Sequence, residues 1–441
     1  MISPAAAPPI KRQMILPLLF CFSFLSYLLR MNISVAQHLM VPQLGLSDVQ
    51  IGAVFSAFML GYSLFQLPAG ICGDRFGPRP VLAFAAVGWV LLTFLTGIIP
   101  GKVVKGAFAA FVSLLIVRFV LGAAEAATYP VAARAIANWI PQRRHAFSNA
   151  IVIVGATLGS AVTGPLIAYV MQALGWRATF YVSALLPGVL AIIWFWQIPG
   201  KTTEDQLASS EGYVRAPHAV SWWSQLRTGS TLFLCMSYFL YSYVMFIFVF
   251  WLFKYLTDVR GLTVIGSGWA ASLPFLAASF ALPLLGYLGD KLSAAKGILR
   301  GRRTVAMACL ICAGALLFVG TATMKVPVAL TAISLSVAFL FSTEGCYWST
   351  AISLGGRHAG AAGGLMNMAG NLGGVVSTIA VPLLVGRIGW YGMFSLASAF
   401  SILGAALWLL ISSSAISDAG PVVQLAAISG AEQPLDIYRN V

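Results

Sequence analysis

Apolar residues run along this chain in stretches of about 20, the length an α-helix needs to cross roughly 30 Å of hydrocarbon. Polar residues collect in the short gaps between them. The stretches fall near 14 to 39, 49 to 71, 80 to 98, 107 to 134, 146 to 171 and 178 to 198. After a polar segment containing KTTEDQ, six more follow near 230 to 256, 265 to 288, 303 to 322, 327 to 350, 360 to 386 and 390 to 412. The pattern predicts an all-α polytopic membrane protein with twelve transmembrane helices, arranged as two six-helix bundles over 14–198 and 230–412. A lead-in over 1–13, a linker over 199–229 and a tail over 413–441 complete the expected organisation.

Composition agrees with a lipid solvent: 59% of the 441 residues are hydrophobic and 9% charged. The net charge of +14, from 26 Lys+Arg against 12 Asp+Glu, would suit nucleic acid if the bases formed one patch. They lie instead in small clusters between spans, where they read as orientation signals, and nucleic acid is not an expected partner. If the first span starts inside, the inner loops carry Lys11, Arg12, Arg75, Arg79, Arg143, Arg144, Lys201, Arg215, Arg227, Lys291, Lys296, Arg300, Arg302, Arg303 and Arg357. The opposite side carries Lys102, Lys105, Arg177, Arg260, Lys325 and Arg387. Both termini are therefore expected in the cytoplasm, with the chain a monomer in a bacterial inner membrane. All six cysteines lie in apolar stretches and are expected to be inert core residues. Neither a Walker loop, a His-rich cluster nor a Ser-His-Asp arrangement in a chemical context is present, so no cofactor, metal or enzymatic activity is expected.

The halves share a feature. The second span ends in Pro68 and Gly70, followed by Gly73-Asp74-Arg75-Phe76-Gly77-Pro78-Arg79; the eighth ends in Pro283 and Gly286, followed by Gly289-Asp290-Lys291. Glycine lets the flanking helices approach, while the acid can accept hydrogen bonds from a neighbouring helix N-terminus. A conformational latch of Gly70, Gly73, Asp74, Arg75, Gly77 and Arg79, repeated at Asp290, is the expected role.

At these residues the chain resembles the major facilitator superfamily. Narrower motifs resemble its anion:cation symporter family, which includes bacterial sugar-acid symporters and the sialin-like branch. They are Arg30-Met31-Asn32-Ile33-Ser34-Val35-Ala36, Gly61-Tyr62 with Gln66, Pro68 and Gly70, and Arg118 with Gly122, Glu125 and Pro130. Trp139 with Pro141, Gly175-Trp176-Arg177, Trp348, and Asn367 with Gly370-Asn371 and Gly373-Gly374 extend the match. The resemblance implies a two-bundle transporter working by alternating access, with small organic anions and protons as partners. It departs at Leu29, where sugar-acid symporters often carry an aspartate, and at Phe55 and Tyr241, where glutamate carriers carry a histidine and a base.

Charge inside the bilayer is where chemistry is expected. A guanidinium at the midplane costs about 3 kcal/mol or more, so Arg30, some 16 residues into its span, reads as a carboxylate-binding fork or as an ion-pair partner of Glu125. Tyr27 lies one turn earlier on the same face. Arg118, Gly122 and Glu125, spaced i, i+4, i+7, share one face of the fourth span, with the two charges too far apart to pair tightly. Glu125, among alanines, is the candidate proton carrier; Arg118 is either its partner or a gate, or a substrate ligand. Glu344 in the tenth span has three readings: a second proton site, a contact to a cationic part of the substrate, or an ion-pair partner of Lys254. Tyr62, Gln66, Tyr241, Trp348 and Asn367 are candidate cavity residues, with helix packing as their other reading. Proton-coupled symport of a carboxylate is the leading expectation; an exchanger or facilitator without a proton, and a non-transporting anion receptor, are the alternatives.

Overall fold

The computed structural model describes residues 13–140, 144–198, 229–355 and 359–412. The expected lead-in, linker and tail therefore lie outside the described residues almost entirely, as do Pro141, Arg143 and Arg357. In the first half, α1 (Ile15–Leu44), α2 (Asp48–Phe76), α3 (Pro78–Ile98), α4 (Ala107–Glu125), α5 (Thr128–Trp139), α6 (His145–Leu174) and α7 (Trp176–Gln197) follow one another. The second half comprises α8 (Gly229–Asp258), α9 (Val264–Lys296), α10 (Ile298–Ala322), α11 (Val326–Ser342), α12 (Glu344–Gly355) and α13 (Ala359–Leu407).

Eleven helical stretches among the described residues are long and apolar enough to span a membrane. The twelfth expected span is in α13, which Gly389, at φ 69° and ψ 174°, divides into two arms. That backbone lies in a region only glycine enters easily, so the chain reverses there as the gap between 386 and 390 implied. Two other spans are less regular than their hydropathy suggested. The fourth breaks between α4 and α5 because Pro130 has no amide to donate to the carbonyl of Ala126. The tenth breaks at Thr343, whose hydroxyl and amide both turn back to the carbonyl of Leu340, at 2.7 and 3.2 Å.

Packing repeats between the halves. In the first, α6 packs on α1, α4 on α2 and α7 on α3; in the second, α13 packs on α8, α11 on α9, and the second arm of α13 on α10. The halves meet where α9 lies on α6 and α13 on α2. With lipid outside, association rests on close backbone approach. A Cβ on Gly61 would collide with the carbonyl of Phe119, and one on Gly122 with that of Phe58. Those two glycines lock α2 to α4 and aim Arg118 and Glu125 toward α1.

Candidate functional site

Arg30, Arg118 and Glu125 come together at the centre of the first half, at 2%, 0% and 0% exposure. Arg30 Nη2 lies 3.5 Å from Glu125 Oε2, which also accepts a hydrogen bond from Ser26 Oγ at 3.1 Å. Three rings box the Arg30 guanidinium: its Cζ stands 4.7 Å from the ring centre of Tyr27, 5.2 Å from Phe58 and 4.5 Å from Tyr62. Tyr27 thus meets Arg30 through its ring face. Arg118 donates to the carbonyls of Leu29 and Arg30, at 3.5 and 3.2 Å, so it props the backbone of α1 beneath the other arginine. Glu125 Oε1 and both Nε atoms are buried without a hydrogen-bond partner in the structure. The cluster therefore retains bonding capacity that a long 3.5 Å ion pair does not use.

Glu344 sits in the second half, where the tenth span is interrupted. Its Oε1 accepts hydrogen bonds from Tyr238 Oη at 2.8 Å and Trp348 Nε1 at 2.9 Å. The reading that paired it with Lys254 is wrong. Lys254 lies at the opposite end of α8, about 16 residues or 24 Å from Tyr238, and binds Asp48 at 3.2 Å and Asp258 at 2.8 Å. Gln66 accepts a hydrogen bond from Asn367 Nδ2 at 2.5 Å, joining α2 to α13. Tyr27, Gln66, Glu344, Trp348 and Asn367 are all only partly buried though well inside their spans, and Tyr27 lies within electrostatic reach of Arg30, Glu125 and Glu344. Hydrogen bonding and proximity bring them together at the boundary between the halves. Tyr62 lies against Arg30 on the first-half side of that boundary. Tyr241 is 1% exposed and stacks behind Tyr238 and Tyr347, with ring centres 5.2 and 5.3 Å away.

The Gly-Asp loops differ from expectation in detail. Asp74 meets a side chain, Arg134 of α5, at 3.5 Å. Gly77, at φ 88°, turns the chain between α2 and α3, and a Cβ on Gly73 would press on Val131. Arg79 donates twice to the carbonyl of Phe195, at 2.9 and 2.7 Å, Arg75 lies over the ring of Phe76, and Gly70 faces Pro130. Asp290 lies within electrostatic reach of Arg302 in α10. Each loop acid thus faces an arginine of its own half. Cys72 is exposed, and Cys21 and Cys312 are intermediate, so the core assignment holds for Cys235, Cys309 and Cys346.

Sequence reasoning missed Ser26, Phe58 and Tyr238. Ser26 is one turn before Arg30, and i, i+4 spacing could have found it. Phe58 and Tyr238 carry no signal among so many aromatics. It also missed the opposite end, where Lys254 bridges to Asp48, Gln37 Nε2 donates to the carbonyl of Phe250 at 3.1 Å, and Phe55 stacks on Phe250 at 4.8 Å.

Relatives and solved folds agree on the class of protein. The chain is 32% identical to a probable sulfoacetate transporter of Cupriavidus necator, over 91% of its own length and 94% of the other's. It is 27% identical to the hexuronate transporter of Bacillus subtilis, covering 87% and 90%, and 27% identical to a D-galactonate transporter of Escherichia coli, covering 92% and 97%. A bacterial homologue of the lysosomal transporter Spinster shares the fold, with a TM-score of 0.74 at 15% identity, over 94% and 99% of the two chains. The profile of the Major Facilitator Superfamily matches residues 19–378. The chain belongs to that superfamily, as an integral membrane transporter and not an enzyme, and its anion-carrying relatives are consistent with the anion:cation symporter branch.

Proposed function

We propose that the protein is a secondary carrier of small organic anions, moving them by alternating access together with a proton. The observation that carries this reading is Arg30, a guanidinium buried at the centre of a span whose carboxylate partner stands at 3.5 Å. A buried cation this costly persists where its charge is used. An incoming carboxylate or sulfonate takes the place of Glu125 at Arg30, and Glu125 is then left without its counter-charge. Taking up a proton neutralises it. Proton and anion therefore bind in positive linkage, and the loaded protein changes faces with its charges compensated. Arg118, spent on backbone carbonyls, positions α1 in this scheme. The relatives' acids, all with an anionic group of the type Arg30 can hold, support the same reading. An inner-membrane setting with both termini in the cytoplasm fits the charge asymmetry between the two sides.

Leu29, buried and apolar beside Arg30, favours a second reading in which no proton moves. Reconstituted liposomes separate the two. Under symport, an inward proton gradient drives uptake of an acid such as D-galactonate; Glu125→Gln abolishes that accumulation while exchange of external for internal substrate continues. Full gradient-driven accumulation by the variant would refute proton carriage by Glu125.

A further inference from the structure

On the reading that the chain carries organic anions, we propose that Glu344 selects the distal terminus of the substrate. It admits an acid whose other end carries a hydrogen-bond donor, hydroxyl or ammonium, and rejects one that ends in a second acid.

The two interrupted spans occupy corresponding places in the repeat, and each holds an acid at its break, Glu125 and Glu344. The first half surrounds its acid with Arg30 and Arg118. In the second, the groups facing Glu344 among the described residues are Tyr238 and Tyr241 of α8, Trp348 and Tyr347 of α12, and Tyr27 of α1. None is cationic, and the one base of α8, Lys254, is engaged elsewhere. Glu344 is half-buried at the boundary between the halves, and the donors Tyr238 and Trp348 on Oε1, with Tyr241 also in reach, still leave a lone pair for a donor on the substrate. Tyr27 packs its ring on Arg30 and lies within electrostatic reach of Glu344, so an anion is attracted on the Arg30 side of this tyrosine and repelled on the Glu344 side. A second carboxylate set against Glu344 among aromatic rings should lose at least about tenfold in affinity.

Matched acids test this on the purified full-length protein. D-galactonate and galactarate differ only in a terminal CH2OH against a carboxylate, and so do isethionate and sulfoacetate. The hydroxyl-ended member is expected to bind the wild type at least about tenfold more tightly, and Glu344→Gln should shrink the gap to about threefold or less. Equal binding within the pairs, or preference for the diacid, overturns the proposal without any variant being needed. A gap unchanged in Glu344→Gln overturns the role of Glu344. Binding of none of the four, in contrast to diacid binding that depends on Arg30, overturns the organic-anion reading itself.

Discussion

Arg30 is held by weak or long contacts: three ring faces, one 3.5 Å ion pair, and a buried Nε without a partner. A group held so loosely is one a substrate can take over. Arg30→Ala should remove the thermal stabilisation that a bound acid gives the wild type, and Arg30→Lys should not restore it, because a point charge cannot replace a planar fork seated among rings. Restoration by lysine would reduce Arg30 to a source of field. The sequence made these charges legible because a charge inside a span is rare. Their neighbours were less so: Tyr238 and Phe58 are two among many aromatics, and three-dimensional position alone distinguishes them. Glu344 shows the same limit, since the sequence left three readings open and geometry removed the pairing with Lys254.

At the scale of helices, close approach between backbones does what hydrophobic burial does in water. Gly122→Val should force α4 away from α2 and destabilise the protein by about 1–3 kcal/mol, the usual cost of overpacking. Gly364→Ala, where a Cβ meets nothing within 4 Å, is the matched control and should leave the melting temperature in detergent nearly unchanged. Equal effects would mean that these contacts do not hold the bundle. Spans could be read from hydropathy with little error because lipid imposes length and apolarity on any crossing helix. Hydropathy is blind to backbone continuity, so the breaks beside Glu125 and Glu344 stayed hidden, although Pro130 and Thr343 were in view.

Across the whole molecule, contacts between the halves run from Lys254–Asp48 at one end, through Phe55 on Phe250, to Gln66–Asn367. At the end bearing the Gly-Asp loops, Asp74 pairs with Arg134 and Arg79 with the carbonyl of Phe195, both in the first half. The described arrangement is closed at the end opposite those loops. Asp48 and Lys254 are 46% and 23% exposed, so their pair contributes at most about 1 kcal/mol to closure. Lys254→Met should accordingly raise maleimide labelling of a cysteine placed at His38, with Cys72 replaced, measurably but by no more than about fivefold. Unchanged labelling would exclude the pair from the gate. Such long-range pairs join positions about 200 to 300 residues apart, which no local pattern announces. Coupling is also a property of the whole molecule, and linkage tests it most directly. The affinity for a bound acid should rise as pH falls, by up to about tenfold per unit while Glu125 titrates, and become flat in Glu125→Gln. A pH-independent affinity in the wild type, or an unaltered slope in the variant, would contradict the account.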